Sequence, residues 1–196
     1  MLEGFCDPRL RYFVNAERTG LVAQRNRGLK IASGRYIAIM DADDVAHPLR
    51  LAKQLEFFDE HPDVGVIGSQ IAVIDSCGHP IGHRCFPLRH DDILRALPTI
   101  VPLSHPTVMI RRQVIENFGG YGFVELAPAD DYEYWSRLIQ HGVRFANHPD
   151  VLLSYRLHAG QLKFARLRET ILSDLRVKEL YWSDNITLNA RLWRQA

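Results

Sequence analysis

The stretch "YIAIMDADDVAHP" (residues 36–48) decides the reading of this chain. Five mostly apolar residues run straight into Asp41, Asp43 and Asp44. A continuous apolar run of this kind is the pattern of a strand buried on both faces, as in a parallel sheet. Pro48 suits the first position of a following helix. Carboxylates this close repel one another and raise one another's pKa, so their gathering needs a cause. In open α/β sheets, ligands bind outside the carboxyl ends of the strands, which is where these three fall. Oxygen ligands clustered there suit Mg²⁺ or Mn²⁺, and such an ion bridges readily to a diphosphate. The competing reading is a solvated acidic turn in which Asp44 caps the next helix.

Upstream, "LRYFV" (10–14) reads as a short strand. Thr19 is placed to cap a helix running to about Ala32, with Gly34 just past its end. Val22, Asn26 and Leu29 share one face of that helix, which leaves Asn26 as a polar residue on an apolar stripe. Downstream, Leu51, Ala52, Leu55 and Phe58 form the expected buried stripe of a helix that "HPD" (61–63) stops. "VGVIG" (64–68) and "IAVI" (71–74) read as extended, and "DSCGHP" turns the chain toward a hairpin strand at "IGHRCF" (81–86). A short helix near 91–97 and a strand at "PTVMI" (106–110) come next. A helix is expected over 128–140 and a strand at "VLLSYRL" (151–157). From about Leu162 the pattern turns helical again, with Leu167, Ile171 and Leu175 spaced by four. Strands alternating with helices predict an α/β layer fold.

Composition narrows the function. The 196 residues are enough for one domain with a real core, and 46% hydrophobic with 24% charged residues is a globular balance. A net charge of +1 gives no field to attract nucleic acid or an anionic membrane. No apolar run approaches a membrane span. Cys6, Cys77 and Cys85 fit no disulfide framework, which points to a reducing compartment and the cytoplasm. "CGHPIGHRC" (77–85) offers Cys77, His79, His83 and Cys85 as zinc ligands, but their spacing matches no common structural zinc motif. "RLRETILSDLRVKEL" (166–180) reads as a docked amphipathic helix rather than a membrane-surface one.

A second signal lies about ninety residues on. "PADDYEYW" (128–135) puts Asp130 and Asp131 at a helix start, where the helix dipole favours acids. Asp131 shares a face with Trp135 and Leu138. A carboxylate turned toward the apolar side and close to others is a candidate general base.

Taken in order, these stretches resemble family 2 of the glycosyltransferases, enzymes of the GT-A fold. "NAERTGLVAQRNRGLKIASGRYIAIMDADD" (15–44) is similar to the family's segment from an Asn-rich start through Arg-Asn-x-Gly to Asp-x-Asp. "PLRLAKQLEFFDEHPDVGVIGS" (48–69) is similar to the segment that comes next in the family. "SHPTVMIRR" (104–112) resembles the acceptor-side strand, "FGGYGFVELAPADDYEYWSRLIQHG" (118–142) the Glu-Asp region, and "LLSYRLHAGQLK" (152–163) the closing Tyr-Arg-x-His element. The likeness covers roughly residues 10–163.

The resemblance implies an inverting, metal-assisted transfer of a sugar from a nucleotide-sugar donor to a hydroxyl of a saccharide or lipid-linked acceptor. It implies Asp43 as ligand of Mn²⁺ or Mg²⁺, Asp41 as metal or ribose contact, and His158 as metal or phosphate contact. Arg25, Asn26 and Arg156 match donor-side positions, Asp131 matches the catalytic base, and Asp130, Trp135 and His105 fall on the acceptor or supporting side. Asp130 stands where the family usually has Glu, keeping the charge with a shorter reach.

Two β-α units that usually open the family's domain have no counterpart before Leu10. The expectation is therefore an incomplete GT-A, Rossmann-like three-layer sandwich with a mostly parallel sheet. It comprises a partial catalytic domain over 1–163 and a helical extension over 164–196. Such a chain is expected to be inactive alone and to self-associate through an exposed sheet edge. Peripheral association with the inner face of the membrane fits a lipid-linked acceptor. The alternative is a non-catalytic, glycan- or partner-binding remnant of such an enzyme.

Overall fold

The structure is a computed structural model that describes residues 7–17, 19–122, 126, 128–158 and 166–193, with backbone alone from 184 onward. Its elements are α1 (Leu21–Ile31), β1 (Tyr36–Ala38), β2 (Val45–Ala46), α2 (Arg50–Glu60), β3 (Val64–Ile74), β4 (Pro80–Arg84) and α3 (His90–Ala96). After a 3-10 turn (His105–Thr107) come β5 (Met109–Arg111), α4 (Arg112–Phe118), α5 (Asp130–Gln140), β6 (Arg144–Arg156) and α6 (Leu167–Trp193).

β3 is the centre of the sheet. Its sequence, VGVIGSQIAVI, is buried along nearly its whole length, as expected of a strand covered on both faces. Strand order is β1-β5-β3-β6-β2, with β4 also on β3. β3 and β6 run parallel from Val64↔Arg144 to Ile74↔Arg156, while the β1–β5, β3–β5, β3–β4 and β2–β6 pairs are antiparallel. The expected mostly parallel sheet is therefore a mixed one, whose parallel part is its longest pairing. Gly68 has a packing reason: a Cβ there would collide with the buried side chain of Asn147, whose amide Nδ2 donates to the carbonyls of Pro87 (2.7 Å) and Pro102 (3.0 Å).

Several local expectations change. Residues 10–14 form no strand; they are exposed, and Arg11 ties them to α1 through the Ile31 carbonyl (2.9 Å). The cap of α1 is Gly20 rather than Thr19. The apolar run 36–40 is a strand only over Tyr36–Ala38 and lies at the sheet edge, paired among the described residues with β5 alone. Met40 is 46% exposed.

The stripe on α2 is reversed. Phe58 is buried as expected, but Leu51, Ala52 and Leu55 face solvent, and Arg50 and Gln54 are buried in their place. The reason is the backbone beneath. Arg50 Nη2 donates to the Ile39 carbonyl (2.7 Å) and Nε to Gln54 Oε1 (3.2 Å), while Gln54 Nε2 donates to the Thr107 carbonyl (2.8 Å). Carbonyls past the ends of β1 and β5 need donors once buried, and this requirement outweighs burial of two leucines. Burial lowers the Arg50 pKa to about 10, with Asp44 opposing.

On α6, Leu167, Ile171 and Leu175 are likewise exposed, and the docked face carries Thr170, Ser173, Val177 and Trp182. Tyr181 Oη donates to Glu133 Oε1 (2.9 Å) and Trp182 Nε1 to Ser136 Oγ (3.1 Å), which holds α6 along α5. Among the described residues, no helix is long and apolar enough to cross a membrane.

Candidate active site

The carboxyl ends of the parallel β3–β6 pair open into a cleft of about 500 Å³. Asp41, Asp43, Tyr155 and His158 line it together with Arg25, His105, Asp131 and Asp174.

The turn after β1 is shaped by β6. Short strand β2 pairs with Leu153 and Ser154, which brings the acidic turn beside Arg156. The Arg156 backbone N–H donates to Asp44 Oδ1 (2.9 Å), and its Nε donates to the Asp43 carbonyl (2.8 Å). Its Nη1 donates to the carbonyls of Asp75 (3.1 Å) and Ser76 (3.2 Å) at the β3–β4 hairpin. Arg156 thus clamps the acidic turn to the hairpin instead of lining the cleft. Asp44 does not cap α2. It is buried, its Oδ2 has no partner among the described residues, and burial raises its pKa to about 6.

The clamp leaves Asp43 facing His158, with 3.0 Å between Asp43 Oδ2 and His158 Nε2. Asp41 is half-buried. Its pKa is raised, first by burial and then by Asp43 and Asp130, with Arg25 opposing. Two carboxylates and an imidazole lining one cleft are a donor set whose chemistry suits Mn²⁺ or Mg²⁺, and a cation would relieve the cost of ionising Asp41. The ligand atoms of the three do not all lie within 4.8 Å of one another, so they do not form a closed ligand group as they stand. A compact trio does occur elsewhere. Ligand atoms of Asp75, Cys77 and His79 lie within 4.8 Å of one another at the exposed hairpin tip. His83 and Cys85 stand outside it, and Asp75 Oδ1 already accepts the N–H groups of Cys77 (2.8 Å) and His79 (2.9 Å), as a turn-forming Asp does.

The base side is built by α1 and α5 together. Arg25 forms an ion pair with the buried Asp130 and lies 5.3 Å from the Tyr121 ring centroid. Asn26 does not line the cleft. Its Nδ2 donates to the Tyr121 carbonyl (2.7 Å) and its Oδ1 accepts the Tyr121 N–H (2.9 Å). That two-point clasp explains the polar residue on the α1 stripe, and it requires Gly120, where a Cβ would strike the amide.

Asp131 stands half-buried in the cleft wall, its Oδ1 accepting the Tyr132 N–H (2.8 Å). Burial, then Asp130, raises its pKa to about 6, with Asp174 adding and Arg25 opposing. His105 is buried in the same wall; its Nε2 shares a 2.7 Å hydrogen bond with Tyr121 Oη, and its Nδ1 has no partner among the described residues. Burial, then Arg25, holds its pKa well below the usual value, so the ring is neutral. Trp135 is fully buried, with ring centroids 5.9 Å from Phe145 and 6.2 Å from His105, and so backs the wall rather than lining it. Sequence reading missed Arg84, Phe86, Thr170 and Asp174, which also line the cleft. The last two sit on α6, four residues apart.

The chain has known relatives. Residues 1–119 match the family model of glycosyl transferase family 2, and the chain belongs to that family. The amylovoran biosynthesis glycosyltransferase AmsE of Erwinia amylovora is 29% identical over 161 residues, covering 82% of this chain and 59% of AmsE. Among solved structures, S. aureus TarS (residues 1–349) in complex with UDP aligns with a TM-score of 0.57 at 19% identity, over 83% of this chain and 45% of that one. The mannosyltransferase PcManGT of Pyrobaculum calidifontis, in complex with GDP-Man and Mn²⁺, aligns at 0.50 and 21%, over 78% and 40%. These likenesses establish the GT-A α/β fold with a mixed sheet. The chain spans about half to two thirds of the length of the curated relatives it matches.

Proposed function

We propose that this chain carries the metal-side and base-side portions of an inverting glycosyltransferase site. The observation that carries the reading is one cleft lined both by Asp41, Asp43 and His158 and by Asp131, whose pKa burial raises to about 6. Asp41, Asp43 and His158 are the residues that would hold Mn²⁺ or Mg²⁺, whose chemistry is to neutralise charge developing on a leaving diphosphate. Asp131 accepts the acceptor hydroxyl's proton as that oxygen bonds to the anomeric carbon. The bond from that carbon to the diphosphate oxygen breaks on the opposite side, so a single displacement inverts the centre. Arg25 holds Asp130 and is near enough to limit the rise of the Asp131 pKa. Arg156 and Asn26 act as positioning residues, the first for the acidic turn and the second for Tyr121.

The donor is a nucleotide-sugar and the acceptor a saccharide or lipid-linked saccharide. The cytoplasm, with access to the inner membrane face, is the proposed location; free Cys77 and Cys85 support a reducing setting. Turnover by these 196 residues alone is proposed to be low. Support comes from the edge position of β1 and from the relatives' greater length. In the working enzyme that edge is paired by further residues or by a second chain. The test is turnover of UDP- and GDP-sugars with Mn²⁺ by a chimera that adds the N-terminal segment of a longer family member. Asp131→Asn should lower kcat by roughly 10²–10⁴-fold with nucleotide affinity unchanged. An equal loss of affinity would make Asp131 a nucleotide contact.

A further inference from the structure

The turn between β3 and β4 brings three alternate residues to one point. Asp75, Cys77 and His79 each offer a ligand atom, and the three atoms lie within 4.8 Å of one another. The turn is tight. The Asp75 N–H donates to the His79 carbonyl (2.9 Å) and the Gly78 N–H to the Asp75 carbonyl (3.1 Å), which Gly78 allows by taking a φ of 94°. Asp75 gives its two oxygens different tasks. Oδ1 accepts the N–H groups of Cys77 and His79, which fixes the side chain. Oδ2 stands 3.2 Å from His79 Nδ1. The hydrogen bond from the His79 N–H, first among several, holds the Asp75 pKa below the ordinary value, so the carboxylate is ionised. Cys77 is a free, exposed thiol. From behind, Arg156 Nη1 donates to the carbonyls of Asp75 and Ser76, so the guanidinium that clamps the Asp43 turn also holds this tip.

We propose that Asp75, Cys77 and His79 form a zinc site, with Asp75 Oδ2, Cys77 Sγ and His79 Nδ1 as ligands and water in the fourth position. Bonds of about 2.0–2.2 Å to oxygen and nitrogen and about 2.3 Å to sulfur put the ligand atoms of a tetrahedral site roughly 3.3–3.6 Å apart. Asp75 Oδ2 and His79 Nδ1 stand close to that spacing, and the exposed Cys77 side chain closes the rest with a shift of roughly 1 Å. Zinc lies between the two atoms that the hydrogen bond now joins. His79 binds as neutral imidazole with its proton on Nε2, and Cys77 binds as thiolate, releasing its thiol proton to solvent. Thiolate and imidazole together select zinc over the Mg²⁺ or Mn²⁺ that suits carboxylates. Of the four zinc ligands offered by the sequence, Cys77 and His79 belong to the site, and Asp75 stands in for His83 and Cys85. The metal staples the hairpin tip against which Arg156 holds the acidic turn. The site does not rest on the glycosyl-transfer reading.

The experiment is titration of the reduced, chelator-stripped 196-residue chain with Zn²⁺ in competition with a chromophoric chelator, and with Co²⁺ as a spectroscopic probe. Wild type should bind a zinc that excess Mg²⁺ and Mn²⁺ do not displace. Co²⁺ should give a thiolate charge-transfer band and the intense visible bands of a tetrahedral site, and Cys77→Ser should abolish the first. Cys77→Ser, His79→Ala and Asp75→Asn should each weaken zinc at least about tenfold. Asp75→Asn keeps the Oδ1 acceptor that forms the turn and loses only the anionic oxygen, so its effect reports the metal and not the fold. Cys85→Ser and His83→Ala should leave the affinity unchanged. A wild type that binds no zinc, a zinc displaced by Mn²⁺, or equal affinity in wild type and Cys77→Ser would overturn the proposal. So would a loss in Cys85→Ser as large as that in Cys77→Ser.

Discussion

Arg25 on α1 is ion-paired with Asp130, the residue immediately before Asp131 at the start of α5. The pair joins two segments 105 positions apart and puts a cation beside the proposed base. Asp130 is buried, and its second oxygen, Oδ1, has no partner among the described residues. Removing one member of such a pair strands the other. Asp130→Ala should therefore cost about 3 kcal/mol. In a chain of this size that is a fall in Tm of roughly 6–12 °C. Asp130→Glu keeps the charge and adds one methylene, the side chain usual at this place in the family, and should cost under about 1.5 kcal/mol. Thermal unfolding of both variants decides the matter, and equal losses would show that chain length at 130, not the ion pair, is what counts.

Asp131 gives a pH signature with a fixed sign. Its folded pKa of about 6 lies above the ordinary 3.8. The ionised form is thus disfavoured by folding, and stability is lost as pH rises from about 4 to about 6. Asp131→Asn should be more stable than wild type by ~1–2 kcal/mol at about pH 8, with the difference vanishing near about pH 4. In an active form of the enzyme, kcat/KM should fall about tenfold per pH unit below about pH 6, because a base works deprotonated. Urea unfolding at several pH values reads the first effect. A stability difference that does not change with pH would rule out the raised pKa.

The two faces of α2 make opposite predictions. Arg50→Ala leaves the buried Ile39 carbonyl without its 2.7 Å donor and opens a cavity, so it should cost roughly 2–4 kcal/mol. Leu51→Gln and Leu55→Gln alter solvent-facing residues and should each stay within about 0.5 kcal/mol. Chemical denaturation of the three variants tests the reversed stripe. A larger loss at Leu51 than at Arg50 would restore the apolar stripe read from the sequence.

The β1 edge predicts association. Among the described residues Tyr36–Ala38 pairs on one side only, and exposed Met40 lies just beyond it. Unpaired strand edges recruit other strands, and lysines on an edge suppress this. Sedimentation of the 196-residue chain should show association that rises with concentration. The double variant Ala38→Lys, Met40→Lys should shift it toward monomer. A wild type that stays monomeric throughout would show the edge to be protected.

What the sequence disclosed and what it concealed divide along physical lines. The apolar runs at 64–68 and 71–74, which join into one strand, the turn at 75–80 and the acidic start of α5 carry local signals and became the expected elements, whereas the strand read at 151–157 is only the second half of β6 (Arg144–Arg156). The reversed faces of α2 and α6 could not be read this way. Leucines at helical spacing usually mark the buried side, but here buried backbone carbonyls demanded Arg50 and Gln54, and the cleft took Thr170 and Asp174. Pairing partners were also hidden. Nothing local in "YIAIM" distinguishes a central strand from one at an edge, because the pattern records burial and not neighbours. At the site, the Asp-x-Asp stretch and Asp131 were legible as carboxylates in telling places. The clasp of Asn26 on Tyr121 and the clamp of Arg156 on Asp43 depend on contacts across 95 and 113 positions, which only the fold supplies.

If Asp43 and its neighbours hold a metal, nucleotide binding depends on it, and this dependence is the central claim. Calorimetry of the 196-residue chain with UDP and with GDP, each with and without Mn²⁺, tests it most directly. At least one nucleotide should bind when Mn²⁺ is present, and affinity should drop at least about tenfold when the metal is withheld or when Asp43 is replaced by Asn. Binding of neither nucleotide, or binding indifferent to both Mn²⁺ and Asp43→Asn, would contradict it.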